Sequence, residues 1–221
     1  MLKEWIKTTW HFFESAAEVM TKDINGKQFP KVSRYIYHVF FIVLALVIVL
    51  CIPNGISHNF IDYIKDIFAI FVGFFVTVLA FVFDKLDITP IPTQDEMDQL
   101  PATERWDSNK VLKVRREHNY TIRFFYTVGM IILLSTMAIC LLIPNLFWPD
   151  FLDQKMGDFY FVDSIGSLSW LTIGTFLHLS LCVIYRFAIV FLTIKVLYYT
   201  FYAVSSLLQV LISKKKLETW N

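Results

Sequence analysis

Four long runs of apolar residues, separated by polar stretches, organise the chain. The first extends from about Tyr35 to Ile52 (YIYHVFFIVLALVIVLCI) and the second from about Ile67 to Phe83 (IFAIFVGFFVTVLAFVF). The third covers about Phe124 to Ile143, and the fourth starts near Leu168. Each comes close to the ~20 apolar residues that an α-helix needs to cross a hydrocarbon core. The pattern predicts an all-α, polytopic membrane protein with four transmembrane helices. Pro53-Asn54-Gly55 closes the first run, Asp84-Lys85 the second and Pro144-Asn145 the third.

Ahead of the first run, Leu2, Trp5, Ile6, Phe13, Ala16 and Met20 recur at helical spacing, with Lys3, Lys7, Glu14 and Glu18 pointing elsewhere. This is the pattern of an amphipathic helix. Trp5 and Trp10 suit a helix lying at the headgroups; a cytoplasmic helix packed on the rest of the protein is the equal alternative. Asn25-Gly26 and Pro30 end it. The fourth run is overlong. Between Leu168 and Ile212 there is no Pro and only Gly174, so one helix would reach roughly 65 Å at 1.5 Å per residue, against a core of ~30 Å. The excess is expected on the cytoplasmic side, as an upright stalk or bent into the interface with Lys195, Tyr198, Tyr199 and Tyr202 as anchors. A stalk with apolar faces implies partner helices, hence an oligomer. Four segments result: residues 1–34, an amphipathic cytoplasmic or interfacial helix; 35–84, a transmembrane hairpin; 85–122, a basic cytoplasmic loop; and 123–221, a second hairpin with a cytoplasmic helical extension.

Composition agrees. Hydrophobic residues make up 56% of the chain and the mean hydropathy is +0.55, above the roughly 45–50% apolar usage of soluble domains. The 22 Phe sit in runs rather than at alternating positions. Cys51, Cys140 and Cys182 each lie inside an apolar run, so neither a disulfide frame nor a metal site is expected. No small-residue cleavage site follows the first run, and insertion is expected through that span itself. The net charge of +1 indicates no partner; the placement of charge does. Lys and Arg crowd the stretch before the first span, the central loop and the Lys214–Lys216 end, whereas the two opposite loops hold only Lys65 and Lys155. The positive-inside rule therefore predicts cytoplasmic N- and C-termini and a cytoplasmic central loop.

No nucleotide-binding, hydrolase, zinc-protease or paired-Cys motif occurs, and the five His are scattered over different segments. The chain is accordingly not expected to be an enzyme or to carry a cofactor. A lipid-modifying enzyme would lack a nucleophile or a metal centre. Candidate chemistry resides in polar stripes on the spans. Asp66, Ala69, Gly73, Thr77, Ala80 and Asp84 fall within about 80° on a helical wheel, with bulky Phe71, Phe74, Phe75, Val78 and Phe81 on much of the rest. Small residues allow close helix packing; alternatively, around a symmetric axis, Asp66 and Asp84 would form outer and inner acidic rings of a cation path. In the fourth run Ser167, Thr175, His178, Cys182, Arg186, Thr193 and Thr200 share one arc, a protein- or water-facing stripe on which Thr175, His178 and Arg186 are pore-lining candidates. Arg186 either snorkels to the inner headgroups or lines a pore or meets an acidic partner, and His178 is expected to hydrogen-bond inside the bundle. Gly129, Thr136 and Cys140 on the third run are read as packing residues. Lys110, Lys113, Arg115 and Arg116 form a basic stretch that either fixes topology and touches lipid or binds phosphates of an anionic lipid or of a nucleotide or oligonucleotide signal.

The basic frame, four compact spans, the Gly73-x-x-x-Thr77 helix running into Asp84-Lys85 and the minimal exterior together resemble the small membrane effectors of bacterial anti-phage defence, of the Hailong or Kiwa type. The resemblance covers architecture, not a diagnostic motif, and transfers no residue role. It implies a bacterial inner-membrane protein that self-associates (a tetramer is the working size) and is controlled by a cytoplasmic protein or nucleotide signal. The expectation is therefore a homo-oligomeric channel or membrane-perturbing effector gated from the cytoplasm. The rival is a non-conducting membrane anchor or scaffold that recruits a soluble cytoplasmic partner.

Overall fold

The computed structural model describes residues 1–23, 26–51, 58–85, 101, 107–147 and 170–218. Among them the chain is all-helical: α1 Leu2–Met20, α2 Lys31–Cys51, α3 His58–Lys85, α4 Ser108–Leu142, the single turn α5 Pro144–Phe147 and α6 Trp170–Glu218. Four helices are long and apolar enough to cross a membrane, within Lys31–Cys51, Phe60–Ala80, Asn109–Leu142 and Phe176–Ile212. These are the four runs expected from hydropathy.

Local sequence sets the boundaries. Pro30 precedes α2, where its fixed φ and missing N–H cost a helix start nothing. Pro144 stops α4 two residues early and opens α5. Between α1 and α2, Gly26 adopts φ +81°, a left-handed conformation that glycine takes without strain, and its N–H donates to Asp23 O at 2.8 Å. Two helices start earlier than hydropathy alone places them. α3 begins at His58, so residues 58–66 are helix rather than loop. α4 begins at Ser108, which converts the Lys110–Arg116 stretch from part of an expected loop into two helical turns. The polar residues there do not break a helix; they merely end the apolar run. α6 is one unbroken helix of 49 residues, about 73 Å long at 1.5 Å per residue.

The chain packs as two units, and α3, α4 and α6 each contribute to both. One comprises Met1–Lys31, Val76–Met130 and Tyr199–Asn221; the other comprises Val32–Phe75 and Ile131–Tyr198. In the first, α1 packs on α4. Ala16 is fully buried, the Phe12 and Tyr126 rings lie 5.4 Å apart, and the Arg123 guanidinium donates to Lys22 O. Gly129 receives the Phe12 ring, whose Cε atoms would stand 3.1 and 3.2 Å from any Cβ built there, with Cζ closer still. Packing is thus the role of Gly129. Ile6 and Trp10 remain exposed on α1. At the end of α1, the Lys22 ammonium 2.6 Å from Glu18 holds that carboxyl below its usual range, first by hydrogen bonding and then by charge. Both partners are exposed, so the pair adds little stability.

Gly129→Leu is expected to cost about 1–3 kcal/mol through overpacking, read as a lower thermal midpoint in detergent and faster proteolysis of residues 1–31. Phe12→Ala in the same chain should remove most of the added penalty, because no ring then needs the space.

In the second unit, Phe41, Ala45 and Val49 of α2 are buried at i, i+4 and i+8, while Val39, Phe40, Ile42, Val43, Leu46, Val47 and Leu50 stay exposed. An apolar outer face this broad is what a helix shows to lipid. Tyr185 of α6 donates its hydroxyl to Leu141 O of α4, filling the carbonyl that the end of α4 leaves open. Along α6 the buried positions follow a seven-residue repeat: Cys182, Ile189, Val196, Ala203 and Val210, interleaved with Leu192, Tyr199 and Ser206. A 3.5-residue period keeps one seam of a long helix against its neighbours. Partner helices for the overlong α6 are therefore supplied, along this seam, by the chain itself. Phe201, Val204, Leu208, Leu211 and Ile212 are nonetheless exposed on the extension.

Candidate functional site

The stripe on α3 lies on the exposed side of that helix. Ile61, Ile64, Phe68 and Phe75 are the buried side chains among the described residues of this helix, and at 100° per residue they cluster opposite Asp66, Ala69, Gly73, Thr77 and Ala80. All five stripe residues are exposed. A Cβ placed at Gly73 would meet nothing within 4 Å, so no close contact among the described residues accounts for a glycine there. Asp84 lies within α3, but its side chain is outside the described residues, as is that of Thr175 on α6.

The other candidates on α6 differ in burial. His178 is exposed, with Nε2 3.9 Å from Cys182 Sγ. Arg186, two turns on, is 2% exposed, the largest fully buried side chain among the described residues. It therefore neither reaches out to headgroups nor faces outward from its unit. Thr193 satisfies its hydroxyl on Ile189 O at 2.8 Å. The sequence arc of polar residues on α6 is thus split between the interior and the surface.

Lys195 occupies a place that sequence reasoning missed. Expected as an interfacial anchor, it is 5% exposed. Its Nζ lies 4.5 Å from the Phe41 ring centroid, 4.6 Å from Tyr37 and 5.6 Å from Phe191. Tyr198 closes the cluster edge-on, 5.1 Å from Tyr37 and 5.2 Å from Phe41. Ring faces carry partial negative charge, so an enclosing set of aromatic rings holds an ammonium where few hydrogen-bond acceptors exist. The signal was present as Tyr37 and Phe41 at i, i+4 and as Phe191 and Tyr198 flanking Lys195. It becomes legible only once α2 and α6 are known to be neighbours.

The basic stretch divides in two. Lys113 and Arg116 line an open cleft of about 440 Å³ in the first unit together with Asn109, Leu112, Tyr120 and, from α6, Gln209. Lys110 and Arg115 are exposed on α4 outside this lining. Among the described residues no three of His, Cys, Asp and Glu converge as a metal site.

No protein-family model matches the chain, and no curated protein or solved structure matches it.

Proposed function

We propose that the chain self-associates in a bilayer into a channel or membrane-perturbing effector controlled from the cytoplasm. The observation that carries this reading is the exposed stripe of α3, opposite that helix's buried face. A carboxylate on a helix set against lipid costs free energy unless it meets protein or water. Copies of the chain arranged around an axis with α3 inward would supply both: small residues for close approach and Asp66 for an outer acidic ring. The exposed apolar positions of α6 from Phe201 to Ile212 offer a second self-association surface beyond the length needed to span lipid. Cytoplasmic termini are read from charge placement, and control from that side rests on the architectural resemblance. A role in anti-phage defence rests on the architectural resemblance.

Purified protein in planar bilayers should give discrete conductance steps, reduced in amplitude or in cation preference by Asp66→Asn. A mass measurement in detergent should return a multiple of the chain, four being the working number. An oligomer silent even with its cytoplasmic signal would remove the channel reading. Co-purification of a stoichiometric soluble protein without ion flux would favour the anchor or scaffold instead.

A further inference from the structure

The cleft between α4 and the α6 extension has the composition of an anion site rather than of a generic basic surface. Two cations one turn apart, Lys113 and Arg116, share its wall with the amides of Asn109 and Gln209 and the phenol of Tyr120, and among the described residues no carboxylate lines it. Ammonium, guanidinium, amide and phenol are donors to phosphate oxygens, and the guanidinium presents paired donors in one plane. Acids do stand nearby. Asp107 accepts from the Asn109 side chain at 3.2 Å and Glu117 adjoins Arg116 in sequence, but neither belongs to the lining. Lys113 and Arg116 supply the positive charge of the lining. Leu112 adds an apolar patch, and Tyr120 lies four residues, about 6 Å of helix, before Phe124, where the apolar run of α4 begins. A phosphate seated here would lie at headgroup depth.

We infer that this cleft binds a phosphate group, presented by an anionic phospholipid or free in the cytoplasm. The site is built by Lys113 and Arg116 with Tyr120 and Gln209, and Lys110 and Arg115 stand outside it. The inference does not depend on conduction.

Native mass spectrometry of the full chain in neutral detergent tests it, with dioctanoyl phosphatidylglycerol, inorganic pyrophosphate and dioctanoylglycerol as probes. One saturable phosphatidylglycerol per chain is expected, and dioctanoylglycerol, which lacks the phosphate, should not bind there. Lys113→Gln and Arg116→Gln should each weaken binding about fivefold, the value of one cation near an anionic headgroup. Gln209→Glu, which leaves both cations in place, should weaken it as much by adding a carboxylate from the α6 side. Arg115→Gln removes the same charge outside the cleft and should change affinity less than twofold. All four positions lie on exposed or half-exposed helix surface, where substitutions rarely disturb folding. Competition by pyrophosphate would identify free phosphates as ligands; lipid binding without competition would identify the headgroup. The inference is overturned if Arg115→Gln costs as much as Lys113→Gln and Arg116→Gln, if Gln209→Glu has no effect, or if neither phosphate probe saturates. A chain that binds phosphatidylglycerol but never conducts would leave this site standing and remove only the channel.

Discussion

Gly73→Leu should leave each chain folded while abolishing its self-association and any conductance. The two halves of that outcome have separate causes. Within one chain the position is exposed and a Cβ there has open space around it, so the larger side chain meets no clash. Replacing Gly in a helix interior should even favour the helix by up to ~1 kcal/mol. Between chains the effect reverses, because a branched side chain on a small-residue face holds the facing backbones apart. The checks are helical circular dichroism, unchanged within error, and the mass of the detergent-solubilised particle, which should fall to a single chain. If the variant keeps both its oligomeric mass and its conductance, α3 does not face the axis.

Phe41→Ala carries the second largest expected effect, a loss of about 3–5 kcal/mol of stability, typical of truncating a buried Phe. The side chain is 6% exposed and packs edge-on against Tyr37, with centroids 4.7 Å apart. Part of the loss is specific to charge, because Lys195 Nζ sits over the same ring. A double-mutant cycle of Phe41→Leu with Lys195→Met isolates that part. It should give a coupling of about 1–2 kcal/mol, in the range of a desolvated cation–π contact. Reversible unfolding in mixed micelles supplies the four free energies, and a coupling near zero would mean that the rings pack against the lysine stem alone.

The spans were legible because lipid-facing helices are apolar over nearly their whole surface, a signal that needs no knowledge of neighbours. The helical turns outside the apolar runs were not. Residues 108–122 and 58–66 are polar enough to end a hydropathy segment, yet contain nothing that ends a helix, and only tertiary packing shows that they continue it. The α3 stripe could be drawn on a wheel, but a wheel gives no inside or outside. Burial of Phe68 and Phe75 on the opposite side supplies that sense. Arg186 is the converse case. Its charge left a headgroup, a pore or an acidic partner open, and its register with Cys182, Ile189 and Val196 turns it inward, among the buried residues of α6. Likewise, the cleft draws Lys113 and Arg116 out of a run of four cations that sequence could not rank, because Gln209 lies far along the chain.

The seat of α1 on α4 has a consequence for biosynthesis. The Arg123 to Lys22 hydrogen bond joins positions 101 residues apart, and at translation rates of about 5–20 residues per second the ribosome needs roughly 5–20 s to deliver the second partner. For that interval a finished amphipathic segment has no groove to occupy, and its Phe12 face lacks the α4 surface around Tyr126 and Gly129 that covers it in the folded chain. The order of synthesis thus gives the N-terminal helix a stage of its own before its packed one.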